Sequence, residues 1–202
     1  MKLDSNAVVW SAPEAERAGR PLLVMMHGLG SNESDLFGLA PYLPLEPVVA
    51  SLRAPLEYGP GYAWFLAEGD REPAANEASA AVLDWLDEQQ FTSVGLLGFS
   101  QGGAMTMQLM RHRPELFSYA VNLSGFAIPS SHNGDAVLAE RKPPVFWGYG
   151  TADRVIDPDF ISYTDGWLPE HTSLTRRVYE GLAHGISQQE LADIAAFVKD
   201  HQ

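Results

Sequence analysis

The 202-residue chain contains no cysteine, few basic residues and no long apolar run. The absence of cysteine excludes a disulfide framework, a thiolate metal site and a cysteine nucleophile. Only 13 lysine and arginine residues stand against 26 aspartate and glutamate residues, so the formal net charge is −13. Nucleic acids and anionic lipid surfaces are therefore disfavoured as partners, because both attract cationic proteins.

Nothing in the sequence predicts an export signal or a membrane anchor. A membrane-spanning helix needs roughly 18 apolar residues in succession, and the apolar runs of this chain are much shorter. Residues 1–6 are polar and lack the apolar segment of a secretory signal. We therefore expect a cytoplasmic protein without stable membrane association.

Length and composition predict a single domain over residues 1–202. Apolar residues make up 46% of the chain, which is enough for a substantial core. No repeat or linker-like segment divides the chain into two parts. The sequence leaves open whether two copies associate as a homodimer.

Short apolar segments alternate with longer helical segments along the chain. The apolar segments are mostly continuous, as in β-strands covered on both faces, and they lie at residues 22–27, 48–52, 94–99, 119–123, 145–149 and 174–179. The helical segments lie at residues 35–42, 74–90, 101–113, 158–168 and 188–199. This order predicts an α/β fold with a mostly parallel sheet and helices on both faces. Functional residues of such folds gather at the carboxyl ends of the strands.

Two of the predicted helices begin with capping residues. Asp157 precedes Pro158, which gives an N-cap followed by proline at the first helical position. Ser187 is followed three residues later by Glu190, which has the form of a capping box at the start of the last helix.

A serine directly follows the third predicted strand, in the sequence Gly98-Phe-Ser100-Gln-Gly102. The glycines allow a sharp turn from strand to helix, which holds the serine in a strained conformation and exposes its hydroxyl. A bare G-x-S-x-G pattern is weak, but this one lies between a strand and an apolar helix, as a nucleophile requires. We therefore interpret Ser100 as a nucleophile rather than as a solvated serine in a tight turn.

A serine nucleophile needs a histidine that takes its proton and a carboxylate that orients the histidine. Among the later histidines, His184 lies between the last strand and the last helix, at the expected edge of the sheet. Asp153 follows the strand at 145–149 and reaches the same edge, whereas its rival Asp157 fits a helix cap better. The remaining later histidines are interpreted as solvated or loop residues: His112, His132, His171 and His201.

Two backbone amides are candidates for an oxyanion hole, which stabilises the negative oxygen of a tetrahedral intermediate. One belongs to Leu29, in the glycine-flanked turn after the first strand, and the other belongs to Gln101. His27 precedes this turn and is expected to brace the loop rather than to transfer protons. Because no histidines and carboxylates have the spacing of a metal site, we expect neither a metal nor another cofactor.

Four separated motifs together resemble the phospholipase/carboxylesterase family of α/β-hydrolases, which includes the acyl-protein thioesterases. The motifs are His27-Gly-Leu-Gly30, Gly98-Phe-Ser-Gln-Gly-Gly103, Gly150-x-x-Asp153 and Gly181-x-x-His184-Gly185. The stretches 30–36 and 59–65 are similar to the bacterial carboxylesterases of that family. The resemblance spans essentially the whole chain, and it implies an α/β-hydrolase fold with no cap domain or a minimal one.

The resemblance also implies the roles of individual residues. Ser100, Asp153 and His184 would form a catalytic triad. Leu29 and Gln101 would supply the oxyanion hole, with Trp64 beside the site. Ser31 and Leu66 depart from the eukaryotic thioesterases, which carry aspartate there or close by, and this favours general ester cleavage over protein depalmitoylation.

Apolar loop residues are candidates for the acyl side of a substrate pocket. They are Leu29, Trp64, Phe65, Leu66, Phe126 and Ile128. The connection 53–73 is long for a compact domain and is expected to form the rim of the groove.

We predict a metal-independent serine carboxylesterase whose partner is a small-molecule ester or thioester with a short-to-medium acyl chain. An acyl-protein thioesterase or lysophospholipase is an alternative with the same mechanism and another substrate. A non-enzymatic interaction module with a hydrolase fold is the other alternative. Such modules usually lack one catalytic residue, whereas here all of them are present.

Overall fold

The structure is a computed structural model that describes residues 1–43, 46–66 and 69–202. Its strands within these ranges are β1 (Val9–Trp10), β2 (Leu22–Met26), β3 (Val48–Leu52), β4 (Leu56–Tyr58), β5 (Gly61–Ala63), β6 (Val94–Phe99), β7 (Phe117–Leu123), β8 (Pro144–Gly150) and β9 (Ser173–Tyr179). Its α-helices are α1 (Glu33–Phe37), α2 (Arg71–Asp87), α3 (Gln101–His112), α4 (Asp135–Arg141), α5 (Pro158–His171) and α6 (Gln188–His201).

Seven of these strands form one sheet in the order β1-β3-β2-β6-β7-β8-β9. All neighbouring strands run parallel except β1, which pairs antiparallel with β3. Strands β4 and β5 form a separate antiparallel hairpin. The mostly parallel sheet predicted from the alternation of segments is confirmed.

Strand β2 shows why the strands are continuously apolar. Leu22, Val24 and Met26 belong to the core that includes residues of α2 and α3 on one face of the sheet. Leu23 and Met25 belong to the core that includes residues of α6 on the other face. Because both faces are covered, neither set of alternating side chains contacts solvent.

The six predicted strands and four of the five predicted helices form, with ends that differ by a few residues. The helix predicted at 35–42 is instead divided into α1 (Glu33–Phe37) and a separate 3-10 helix at Ala40–Tyr42. Strand β1, the β4–β5 hairpin and helix α4 were not predicted. The hairpin and the start of α2 occupy much of the long connection 53–73, of which residues 67 and 68 lie outside the described residues. Helix α2 begins at Arg71 because the Asp70 carboxylate accepts the Glu72 N–H. Pro73 fits the first turn because proline has no N–H, and N–H groups of a first turn have no acceptor within the helix.

One of the two predicted helix caps differs in detail from its prediction. The Asp157 carboxylate accepts the N–H of Asp159, 2.9 Å away, as an N-cap should. The Ser187 hydroxyl accepts the N–H of Glu190 at 3.0 Å. The Glu190 side chain does not return this bond, because it turns into the interior instead of back to the helix end.

Within the described ranges, no helix is both long and apolar enough to cross a bilayer.

Candidate active site

Ser100 lies in a strained turn between β6 and α3. Its backbone has φ +55° and ψ −115°, a conformation that residues other than glycine rarely adopt. A Cβ atom at Gly98 would overlap the carbonyl of Gly102, and one at Gly102 would overlap the carbonyl of Met26. The two glycines are therefore required by the close approach of helix and strand, and the turn presents Ser100 at the carboxyl edge of the sheet.

His184 and Asp153 meet at the same edge. The imidazole Nδ1 lies 2.7 Å from Asp153 Oδ2. Asp153 follows β8, and its other carboxylate oxygen accepts the backbone N–H groups of Val155 and Ile156. With the carboxylate as acceptor, Nδ1 carries the hydrogen and Nε2 of a neutral imidazole is left free to take a proton.

Backbone hydrogen bonds connect the two loops that carry this pair. The Thr151 N–H donates to the Tyr179 carbonyl, and the Ala152 N–H donates to the Leu182 carbonyl, each at 3.0 Å. The Phe99 ring packs on the His184 imidazole with their centres 4.8 Å apart. The orientation of His184 is therefore fixed from both sides.

Ser100 and His184 line one cavity of about 800 Å³. Among the described residues, no hydrogen bond joins the Ser100 hydroxyl to the imidazole. Catalytic hydrogen bonds often become short and well aligned only in the presence of substrate, so the arrangement is compatible with proton transfer.

The residues assigned to the oxyanion hole, Leu29 and Gln101, also line this cavity. In the described part of the chain, neither of their backbone N–H groups donates to a protein acceptor. Gln101 is the first residue of α3, where backbone N–H groups have no partner within the helix and carry a partial positive charge. Both amides are thus available to an oxygen of a bound substrate.

His27 braces the loop that carries Leu29. Its Nε2 accepts the N–H of Ala54 at 3.1 Å, so the ring hydrogen is on Nδ1, which donates to the Gly28 carbonyl at 2.8 Å. Burial lowers the pKa of His27 below its ordinary value. The ring is therefore neutral and fully used by the loop, in agreement with the bracing role expected from the sequence.

The cavity wall contains only part of the predicted set. Leu29, Phe65 and Phe126 line it, whereas Trp64, Leu66 and Ile128 are not among its lining residues. Trp64 is fully buried, with its indole N–H donating to the His27 carbonyl, and Leu66 is half exposed. Other apolar wall residues were missed by sequence reasoning, namely Phe99, Val155, Ile156, Pro158 and Phe160.

The missed wall residues differ in how easily they could have been found. Phe99 adjoins the nucleophile, so its position in the motif was a usable signal. Phe160 belongs to α5 and contacts Phe126 with ring centres 4.6 Å apart. Nothing in the local sequence of α5 indicates which of its residues faces the site, because the packing of the helix on the sheet decides this.

Charged side chains also line the cavity, and they carry both signs. They are Asp35, Arg71, Arg154 and Asp157. Among the described residues, no cluster of three histidine, aspartate or glutamate side chains is arranged to hold a metal ion.

Glu190 is a buried carboxyl group that the sequence presents only as a capping residue. It is fully buried against Gly148 of β8, and neither side-chain oxygen has a hydrogen-bond partner in the described residues. Loss of hydration raises the pKa of Glu190 to about 7, and the nearby Asp193 acts in the same direction. Glu190 therefore holds a proton in the folded protein at pH values where the unfolded chain has lost it.

We expect Glu190→Gln to stabilise the protein above pH 7 but not at pH 5. The wild-type carboxyl ionises near pH 4.5 when unfolded and near pH 7 when folded, so rising pH disfavours folding between these values. Relative to the variant, the wild-type free energy of unfolding should fall by about 3 kcal/mol across this range. Urea unfolding at pH 5, 6.5 and 8 measures the difference, and a difference that does not change with pH would contradict the assignment.

Comparison with known proteins gives a consistent set of matches. The family model described as phospholipase/carboxylesterase matches residues 62–202. Acyl-protein thioesterase 1 of Kluyveromyces lactis is 28% identical over 215 aligned positions, which cover 93% of this chain and 94% of the relative. Carboxylesterase SOBER1 of Arabidopsis thaliana is 25% identical over 206 positions, covering 89% and 90% of the two chains.

Solved structures are similar over nearly the whole chain. The crystal structure of esterase PE8 has a TM-score of 0.79 and 25% sequence identity, and the match covers all of both chains. The Bacillus cereus carboxylesterase has a TM-score of 0.80 at 20% identity, covering 96% of this chain and 93% of the other.

Proposed function

Since this chain belongs to the phospholipase/carboxylesterase family of α/β-hydrolases, we propose that its ester-hydrolase activity is carried by Ser100, His184 and Asp153. The relatives of similar length are named as thioesterases and carboxylesterases, and the chain is an esterase or thioesterase of this kind. We also propose that residues 1–202 act as one domain.

One observation carries the assignment of the residues. A strained serine at a strand-to-helix turn shares a cavity with a histidine whose Nδ1 is 2.7 Å from a buried carboxylate. Strain of this kind persists only where the surrounding structure enforces it, and it is concentrated at functional sites. Serine, carboxylate and histidine, in this chain order, provide a nucleophile, an orienting group and a base.

In the first half of the reaction, Ser100 Oγ attacks the carbonyl carbon of the substrate, and its proton passes to His184 Nε2. The carbonyl oxygen becomes negative and accepts hydrogen bonds from the N–H groups of Leu29 and Gln101. Each such donor is worth about 10²–10³ in rate. His184 then returns the proton to the leaving alcohol or thiol as the carbon–oxygen or carbon–sulfur bond breaks, and the acyl group stays on Ser100.

In the second half, water replaces the leaving group. His184 Nε2 takes a proton from the water, whose oxygen attacks the acyl carbon of the ester to Ser100. As the second tetrahedral intermediate collapses, the bond between the acyl carbon and Ser100 Oγ breaks, His184 Nε2 returns its proton to Oγ, and the carboxylic acid is released. Asp153 holds the imidazole in the required tautomer throughout and stabilises its positive charge.

The cavity supports an apolar acyl group of short-to-medium length. Its size falls within the usual range for small-molecule sites, and Phe65, Phe99, Phe126 and Phe160 contribute aromatic surface to its wall. Thioester or lysophospholipid cleavage would use the same steps, and the naming of relatives as acyl-protein thioesterase 1 favours thioesters as the second candidate. Competition between a short ester, a palmitoyl-peptide and a lysophospholipid separates these substrates.

A fluorophosphonate probe tests the proposed nucleophile. Such a probe reacts with an activated serine and not with ordinary serines, because only the former has a base and an oxyanion hole beside it. We expect one equivalent to bind covalently and hydrolysis of p-nitrophenyl butyrate to be lost in parallel. Folded protein that hydrolyses the ester but takes up no probe would contradict the proposal.

A further inference from the structure

We propose that the Gln101 side chain is a positioning residue that holds the pocket wall at Trp64 and Phe65 against the nucleophile turn, and thereby sets the acyl-chain preference. This role is separate from that of the Gln101 backbone amide. The inference rests on the proposed function, since it concerns how the same cavity selects its substrate.

Two hydrogen bonds attach the side chain to the wall. The Trp64 N–H donates to Gln101 Oε1 at 2.8 Å, and Gln101 Nε2 donates to the Phe65 carbonyl at 2.6 Å. All three residues are buried, so water cannot easily replace either bond. The carboxamide thus uses both its acceptor and a donor on two successive residues, which fixes the wall in position and orientation.

The other end of the same segment is attached to the loop that carries Leu29. The Tyr62 N–H donates to the Ser31 carbonyl, and the Gly30 N–H donates to the Tyr62 carbonyl, both at 2.8 Å. Residues 61–65 therefore connect the two turns that carry the proposed oxyanion donors. The Gln101 side chain completes this connection through its bonds to Trp64 and Phe65, and these contacts lie outside the seven-stranded sheet.

Loss of the Gln101 side-chain bonds would act mainly on substrate selection. Trp64 would still be held by its indole N–H bond to the His27 carbonyl and by burial. Phe65, which lines the cavity, would lose the hydrogen bond to its carbonyl, so that packing alone would hold its backbone and ring in place. Acyl chains long enough to contact this wall would lose binding energy, whereas an acetyl group would be affected less.

Gln101→Met tests the proposal because methionine has a similar length and no hydrogen-bonding amide. We expect kcat/KM for p-nitrophenyl octanoate to fall about tenfold more than for the acetate, the size expected when an apolar contact is lost. Most of this change should appear in KM. Amide hydrogen exchange at Trp64 should become faster, because its N–H loses its acceptor.

Gln108→Met is the matched control. Gln108 is buried on the same helix, but its amide bonds to Asn76 and it does not line the cavity. We expect this variant to keep the wild-type ratio of octanoate to acetate hydrolysis. An equal decrease of that ratio in Gln101→Met and Gln108→Met would show a general effect of packing in α3 and would overturn the inference.

Gln101→Glu is designed to remove only one of the two side-chain hydrogen bonds. It also serves as a second variant if the methionine variant does not fold. Glutamate keeps an acceptor for the Trp64 N–H but cannot donate to the Phe65 carbonyl when ionised, so this variant is assayed at pH 8.5, above the pKa of about 7 to which burial raises the Glu190 carboxyl. Protection of the Trp64 amide should be retained while the octanoate-to-acetate ratio falls. If a Gln101 variant still reacts with fluorophosphonate and keeps the wild-type ratio of octanoate to acetate hydrolysis, this inference is overturned and the proposed function is not. A wild-type protein that does not react with fluorophosphonate would overturn the proposed function.

Discussion

Replacing Ser100 with alanine is expected to lower kcat for p-nitrophenyl butyrate by about 10⁶, with little change in stability. The substitution removes the only atom that bonds to the acyl group in the proposed mechanism. The oxyanion donors and the cavity remain, so a residual rate above that of the uncatalysed reaction should persist. Steady-state kinetics on protein purified free of other esterases measure the loss, and circular dichroism checks the fold.

Ser79→Ala is a suitable control for this experiment. Ser79 is fully buried in α2, does not line the cavity and makes no hydrogen bond through its hydroxyl in the described structure. Its kcat should equal that of the wild type. Activity of the Ser100→Ala protein within a factor of ten of wild type would remove Ser100 from the mechanism.

Asp153→Asn is expected to lower kcat by about 10⁴ while leaving the cavity intact. The Asp153 carboxylate accepts the His184 Nδ1 hydrogen at 2.7 Å, and its second oxygen accepts two backbone N–H groups. If the asparagine oxygen keeps the backbone bonds, its NH₂ group faces Nδ1. The imidazole must then carry its hydrogen on Nε2, where it can no longer accept the serine proton.

Asp157→Asn controls for the loss of a charge in the same loop. Asp157 caps α5 through the Asp159 N–H, and asparagine caps helices about as well as aspartate. This variant should therefore retain wild-type kcat within about twofold. A greater loss in Asp157→Asn than in Asp153→Asn would show that the orienting carboxylate had been assigned to the wrong residue.

Most of the sheet could be predicted from sequence because its central strands are buried on both faces. Five of the six predicted strands are mostly apolar and largely buried, whereas the edge strand β9 contains Arg176 and Arg177 and is mostly exposed. Strand β1 has two residues and exists only because it pairs with the edge of β3. The β4–β5 hairpin has three-residue strands that are partly polar, so no local periodicity reveals it.

The triad candidates could be found because their positions follow from chain order and turn chemistry. Ser100, Asp153 and His184 each lie in the connection that follows a predicted strand, and parallel strands end at one edge of a sheet. The structure brings Asp153 and His184 into contact and places Ser100 in the same cavity as His184. The roles of these three residues stay predictions.

The cavity wall and the interior polar contacts could not be predicted in the same way. Phe160 reaches the cavity through the packing of α5, and Gln101 reaches Trp64 and Phe65 through a loop 36 or more positions away. The carboxyl of Glu190 turns inward although its sequence context favours a capping box. Each of these contacts depends on tertiary packing, which short sequence patterns do not encode.

The position of the covalent adduct formed by fluorophosphonate shows which residue is the nucleophile. Protease digestion and tandem mass spectrometry of the labelled protein locate the modified atom within the peptide that spans β6 and the start of α3. We expect one adduct, on Ser100, and none in the heat-denatured protein. Stoichiometric labelling of any other residue, with Ser100 unmodified, would contradict it.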